Sequence, residues 1–332
     1  MRDVAVEAGV SLMTVSRVVN GDPGVLPETA ARVERAIRRS GYQRNDTARH
    51  LRRMAQGTQT VGLLIDDLAN PFYATLARAV EDQARLHSYL VLIGSSGDDL
   101  QREREAVSAF CARRVDGLIL VPVNGSHRFL QTQLSRGTKV VCVDRPADEL
   151  DVDTVVVDNR NGALRGTSHL LARGHRRIAY LGDRLDIWTV RQRYQGFHDA
   201  LAAAGLQPDP KLVRHGLRSR AEAAAAAAEL MALAEPPTAV FTSNDLMSVG
   251  ALDGLGGWTG QIAVVGFDDF ILADRLDPAV TVVAQDPAAL GATAAQLLFA
   301  RISGDTSPPR EVVLSTRLIE RGSGEIAPPG RG

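Results

Sequence analysis

At 332 residues and 35.6 kDa the chain is larger than a single growing core, so two or three structural units are expected. It is 45% hydrophobic and 23% charged, an ordinary globular composition. Its longest apolar runs, 61–65 and 117–123, fall far short of the ~20 residues that cross a bilayer, so no membrane partner is expected. Charge is uneven: residues 1–60 hold ten Arg against six Asp or Glu, a balance of +4, and the rest hold 28 Lys and Arg against 33 Asp and Glu, or −5. This suggests a head that meets a polyanion, on a body that meets a small molecule.

Along the first sixty residues apolar positions recur at helical spacing. Val4, Ala5 and Ala8 mark one face, Gly9-Val10-Ser11 interrupts it, and Val15, Val18 and Val19 mark a second face that ends at Asn20-Gly21. Ser11 suits the cap of the second helix and Gly21 its left-handed end. Two short helices about a glycine-bearing turn form a helix-turn-helix. A third helix is predicted over about 28–40, with Ala30 or Ala31, Val33, Ala36 and Ile37 inward, Pro27 at its start and Gly41 at its stop. A short fourth helical segment, 45–53, leads into the polar stretch 56–60, which reads as a linker. Acidic Asp3 and Glu7, with no uninterrupted apolar run beside them, are not a secretory signal, and a cytoplasmic location is expected.

From Val61 the rhythm changes. Strands are predicted at 61–65, 90–93, 117–121, 140–143, 154–157, 178–181, 239–242, 263–265 and 280–283, with helical segments between them. That alternation points to parallel sheets covered by helices on both faces. Nine strands are too many for one small unit. The expected fold class is therefore α/β, an N-terminal all-α head plus two doubly wound parallel-sheet subdomains. The alanine-rich segment 221–234 reads as an ordinary exposed helix. Cys111 and Cys142 read as buried small hydrophobes, too few for a disulfide framework.

The second helix places Ser11, Leu12, Met13, Thr14, Ser16, Arg17 and Asn20 on its outer side. Hydroxyl, amide and guanidinium groups there can bond phosphate oxygens and base edges, with Arg suited to guanine. Asp3-Val-Ala5, Ala8-Gly-Val-Ser11, Thr14-Val-Ser-Arg-Val18, Asn20-Gly21, Pro27-Glu-Thr29 and Gly41-Tyr42 resemble the DNA-binding head of the LacI/GalR family of bacterial transcription regulators. The resemblance continues through Asn45, Ala48, Arg49 and Leu51. In the body it runs through Asn70-Pro-Phe72, Arg114–Ile119, Val143-Asp-Arg145, Asp158-Asn159, Gly174–Ile178, Arg193 with Gly196-Phe197, Ser243-Asn-Asp245 with Gly250-Ala251, Val265–Asp269 and Arg321-Gly-Ser323.

The resemblance implies a ligand-responsive regulator, not an enzyme, most simply a repressor of carbohydrate-use genes. It would bind a pseudo-palindromic DNA operator as a homodimer, with the second helix in the major groove. Leu12 and Met13 suit thymine methyls, and Arg17 suits direct readout. Asn45, Arg49 and Leu51 match the hinge helix, Leu51 as a minor-groove wedge; from the residues alone Leu51 reads as a core leucine. The implied division is a head at 1–44, a hinge and linker at 45–60, and an effector-binding and dimerisation domain at 61–325. This body would be periplasmic-binding-protein-like, with three crossovers. Effector contacts carried over to this chain are Asp67, Asn70, Phe72, Asp144, Arg193, Asn244 and Asp268, a set suited to sugar hydroxyls. Trp188 is a second candidate plate or else a surface-packing residue. No cofactor and no metal site are expected. A purine effector, a solute-binding protein without regulatory role and a sugar-processing enzyme are the alternatives.

Departures from the family pattern carry their own expectations. Met1-Arg2 stands where members have several residues including a capping Thr, so further upstream residues are expected. Leu26 replaces a common Ser and Arg44 a common Pro. The stretch 252–261 is short and holds four glycines, so the helix after Asn244 is expected to fray. His175 is expected to make a structural hydrogen bond.

Overall fold

The computed structural model describes residues 1–19, 22, 24–40, 57–256 and 261–329. The chain divides into two compact units, Met1–Thr58 and Gln59–Gly332. Among the described residues no helix is long and apolar enough to cross a membrane.

The first unit is helical. Helices α1 (Arg2–Ala8), α2 (Leu12–Val19) and α3 (Pro27–Ser40) enclose a small core of Val4, Ala5, Ala8, Val15, Val33 and Ala36. Gly9 ends α1 with φ +61°, a conformation that glycine adopts without a Cβ penalty. The Arg32 guanidinium donates to the carbonyls of Ala8 (2.5 Å) and Gly9 (3.2 Å), satisfying carbonyls that α1 leaves unpaired. Ser11 caps α2 as expected, its Oγ accepting from Thr14 N at 3.1 Å. Of the two alanines left open, Ala30 turns inward and Ala31 is exposed. The segment 45–53, and with it Gly21 and Gly41, lies outside the described residues.

The second unit holds two six-stranded sheets. In chain order the first receives β1 (Thr60–Ile65), α4 (Pro71–Leu86), β2 (Leu90–Ser95), α5 (Leu100–Ala112), β3 (Gly117–Leu120), α6 (Gln131–Ser135), β4 (Lys139–Val143) and β5 (Asp153–Val157). The chain then crosses through α7 (Asn159–Ala172) into the second sheet, with β6 (Ile178–Leu181), α8 (Trp188–Ala203), β7 (Val213–Arg214), α9 (Arg220–Met231), β8 (Ala239–Thr242), α10 (Asp245–Gly254), β9 (Ala263–Phe267) and β10 (Thr281–Ala284). It returns through α11 (Pro287–Ile302) to β11 (Glu311–Leu314) and crosses once more to β12 (Arg317–Ile319). Strand orders are β11-β5-β4-β3-β1-β2 and β12-β10-β9-β8-β6-β7. All pairings are parallel except β10 with β12. All nine predicted strands form. Three short ones, β7, β11 and β12, were not foreseen, because two to four residues at a sheet edge carry little periodicity.

The crossovers are tied to one another. Asp158, after β5, accepts from Thr316 N (2.7 Å) and pairs with Arg165 (3.1 Å), whose guanidinium also donates to Thr316 O (2.9 Å). His175 makes the expected structural bonds, to Thr238 Oγ1 (2.9 Å) and Ile326 O (2.8 Å), and burial lowers its pKa. Cys142 is buried, its thiol pushed up to about 12 by burial, whereas Cys111 is only half-buried.

One expectation is corrected. The alanine-rich helix α9 is not simply exposed: Ala223, Ala226, Ala227 and Leu230 are buried. Helix α10 runs to Gly254. A Cβ on Gly254 would fall 2.0 Å from the Ala224 carbonyl oxygen, so glycine here lets α9 and α10 approach closely. Close packing outweighs the ~1 kcal/mol helix penalty of a glycine, and Asn244 Oδ1 caps α10 by accepting from Met247 N at 2.8 Å. Gly257 and Gly260 lie outside the described residues.

Candidate functional site

Helix α2 presents the side chains that a DNA reader needs. Leu12 and Met13 (68% exposed) face solvent, and hydrophobic burial gives no reason for their exposure. The Ser11 and Thr14 hydroxyls bond each other at 2.9 Å. Ser16 is half-buried. Arg17 is 59% exposed, with Asp22 3.6 Å from its Nε. Such a surface pair is worth about 0–1 kcal/mol. Asn20, Asn45, Arg49 and Leu51 lie outside the described residues.

In the body, parallel strands end at a shared cleft, as expected where strand order reverses in open α/β sheets. A cavity of about 440 Å³ there is lined by Asp67, Asn70, Phe72, Asp144, Arg193, Asn244 and Asp268, seven of the eight residues expected. The strands and helix starts set them in place. Asn70 accepts from Phe72 N (2.9 Å) and opens α4. Asp144 and Asp268 follow β4 and β9 with φ of 69° and 71°, and each sends its amide to the next strand, to Val155 O (2.8 Å) and Val283 O (2.9 Å). The same left-handed step re-aims a carboxylate in both subdomains.

Trp188, the eighth residue, stands apart from this lining. It is half-buried at the start of α8 and does not line the cavity, to which α8 contributes Thr189, Val190 and Arg193. At 3.6 residues per turn Trp188 sits about 140° round the helix from Arg193, whereas Thr189 sits about 40° away. Helical geometry available in the sequence separates the two.

Each side of the cleft is an ion-pair network. Arg193 Nε donates to Asn159 Oδ1 (2.7 Å), and its Nη1 to Ser243 O (2.7 Å) and Asp268 Oδ2 (3.3 Å), with the guanidinium 3.8 Å from the Phe267 ring centroid. Gln285 Nε2 donates to the other Asp268 oxygen at 2.5 Å. Opposite, Arg145 pairs with Asp144 (3.4 Å) and Asp66 (3.2 Å), and Tyr73 donates to Asp144 Oδ2 (3.3 Å). Burial raises the pKa of Asp144, Asp268 and Asp66, with arginine charge opposing it in each case. Burial and the Asp144 charge hold the Tyr73 phenol well above its usual value, which keeps it a donor. Sequence reasoning missed Asp66, Tyr73, Arg145, Asp245 and Gln285. The first four adjoin residues that it named; Gln285, in a crossover, had no local signal.

Fixed donors and acceptors around an aromatic ring are suited to hold a polar ligand, and among the described residues of the cleft no nucleophile is paired with a base. The comparisons agree with this division into two parts. Residues 1–45 match the model of bacterial regulatory proteins, lacI family, and residues 167–324 that of a periplasmic binding protein-like domain. The HTH-type transcriptional regulator CelR of Thermobifida fusca is 36% identical, over 97% of this chain and 97% of its own. The chain belongs to the LacI family. LacI-family relatives such as CelR are transcriptional regulators and not enzymes, and this chain is a regulator of the same kind. The structure of a CelR–cellobiose complex covers 97% of this chain and 98% of its own, with TM-score 0.72 and 34% identity. The lac repressor dimer bound to operator and the anti-inducer ONPF covers 97% and 98%, with TM-score 0.82 and 27% identity.

Proposed function

We propose that this regulator is a cytoplasmic repressor of carbohydrate-use genes, controlled by a sugar. It would bind a pseudo-palindromic operator as a homodimer through heads at residues 1–44, joined by the hinge and linker at 45–60 to the effector and dimerisation domain at 61–325. The observation that carries the effector reading is the pair of preassembled arginine–carboxylate clusters that, with Phe72, line a cavity of about 440 Å³. That volume lies within the usual range of small-ligand sites. Each sugar hydroxyl both donates and accepts, so it suits mixed guanidinium, amide and carboxylate groups. Cellobiose in the related CelR complex supports the same class.

Operator readout is assigned to α2, with Arg17 as the direct reader and Ser11, Leu12, Met13, Thr14, Ser16 and Asn20 around it, and with Asn45, Arg49 and Leu51 in the hinge. Homodimerisation is supported by apolar side chains exposed on the body: Leu90 and Ile93 on edge strand β2, and Ile271 and Leu272 after β9. An uncovered apolar edge is a liability that a second copy would remove. Effector binding shifts the closure of the two subdomains, and coupling of about 1–3 kcal/mol changes operator affinity some 5–150-fold. The test is a thermal-shift screen of mono- and disaccharides and purine nucleosides, followed by selection of genomic duplex and operator titration with the hit. A sugar that raises Tm and shifts operator affinity is expected. A purine as the only hit overturns the sugar class, and equal binding of every duplex overturns the regulator mechanism.

A further inference from the structure

The network on one side of the cleft continues to the other side through one residue. Asp98 lies in the loop between β2 and α5, with φ 55° and a side chain 4% exposed. Its Oδ1 accepts from Arg145 Nη1 at 3.1 Å, inside its own subdomain. Its Oδ2 accepts from Arg184 Nη2, which follows β6 in the opposite subdomain. Among the described residues this is the one ion pair that spans the cleft. Both ends also keep a local partner: Arg145 remains with Asp98, and Arg184 Nε lies 3.2 Å from Asp186. Breaking the link therefore leaves no buried charge alone, which is the costly outcome for a buried pair. A contact of this kind can open and close reversibly.

We propose that Asp98 and Arg184 form a latch that holds the subdomains closed over the ligand, with Asp98 as a positioning residue. By holding Arg145, it orients the guanidinium that fixes Asp66, Tyr73 and Asp144 at the cavity wall. A ligand seated against Asp144 excludes water from this network, and the charge pair strengthens as its surroundings dry. Contact with ligand is thus converted into closure. The inference rests on the reading of the cleft as an effector site.

The test uses the full chain with donor and acceptor dyes at Glu105→Cys on α5 and Glu229→Cys on α9, in a Cys111→Ser background, diluted into unlabelled chain. Arg184→Gln removes only the cross-cleft half of the network. In ligand-free protein this variant should lengthen and broaden the distance distribution, Asp98→Asn should do the same, and the double variant should go no further than Asp98→Asn alone. With cellobiose as the probe, Arg184→Gln should raise the dissociation rate at least fivefold with the association rate and the ligand-free Tm unchanged. An unchanged distance distribution, or additive shifts in the double variant, overturns the latch whatever binds. A shifted distribution in a protein that binds no sugar upholds the latch and overturns the effector reading.

Discussion

Arg17 in the head is 59% exposed and faces a single carboxylate, Asp22, at 3.6 Å. Arg193 in the cleft is 5% exposed and is held by Asn159, a backbone carbonyl, Asp268 and the face of Phe267. On the proposed reading, the same side chain is left loose where the partner is a polyanion and locked where the partner is a small ligand. A phosphate backbone brings its own charge and meets a cation that has lost little by waiting in water. A neutral ligand cannot repay the ordering of flexible charges, so the cleft must order them in advance.

The difference can be broken most sharply at Arg193. Arg193→Ala leaves Asp268 buried without its cation, and a loss of about 3–5 kcal/mol is expected for such a break. Urea unfolding measures that loss, and calorimetry with the identified effector should find binding weakened as well. A stable, tightly binding variant would mean that the pair is incidental. Shape can be separated from charge at Gly254. Gly254→Ala forces α9 from α10 and should cost about 1–3 kcal/mol by overpacking, with the melting curve as the measurement and no change in the charges of the cleft. In the head, Arg17→Ala should weaken selected operator duplex by about 1–3 kcal/mol while random duplex is less affected. Its Tm should stay put, since the exposed pair to Asp22 contributes little. Gel-shift titration against both duplexes decides.

The smallest effect is pH dependence, where carboxylates of opposite shift act with opposite sign. Asp144 and Asp268 are raised by burial. The folded chain then takes up protons before the unfolded one, so these groups stabilise it as pH falls from their folded values toward the ordinary carboxylate value. Asp153 is buried too, yet Arg301 and Arg310 outweigh that burial and lower its pKa. Its stabilising contribution is complete above the ordinary value and is lost as pH falls through its folded one. Asp268→Asn should flatten the pH profile just above the ordinary carboxylate range, and Asp153→Asn just below it. Denaturant midpoints across pH measure both slopes.

Legibility in the sequence followed the range of the interaction. Strands β1–β6 and β8–β10 were readable because each carries a short apolar run set off by helical segments, whereas β7, β11 and β12 lie at sheet edges and owe their state to the strand beside them. The Ser11 cap on α2 and the Pro27 start of α3 act within a single turn and were read directly. Trp188 was named on residue type, whereas helix geometry turns it away from Arg193. The alanines of α9 were misjudged because their partner, the glycine face of α10, lies elsewhere in the chain. Arg145 was quoted only as part of a motif, since its neighbours Asp66 and Asp98 lie 79 and 47 residues away.

The sequence by itself determined the kind of molecule: a small helical head with an exposed Arg-bearing helix, two α/β subdomains and polar residues at the strand ends. Periodicity, caps and motifs are properties of neighbouring residues, so a linear reading recovers them. Only the tertiary structure decided which charges meet. The pairing of Arg193 with Asp268, 75 residues apart, and of Asp98 with Arg184 across the cleft depends on burial and orientation, which arise when the sheets and crossovers pack together.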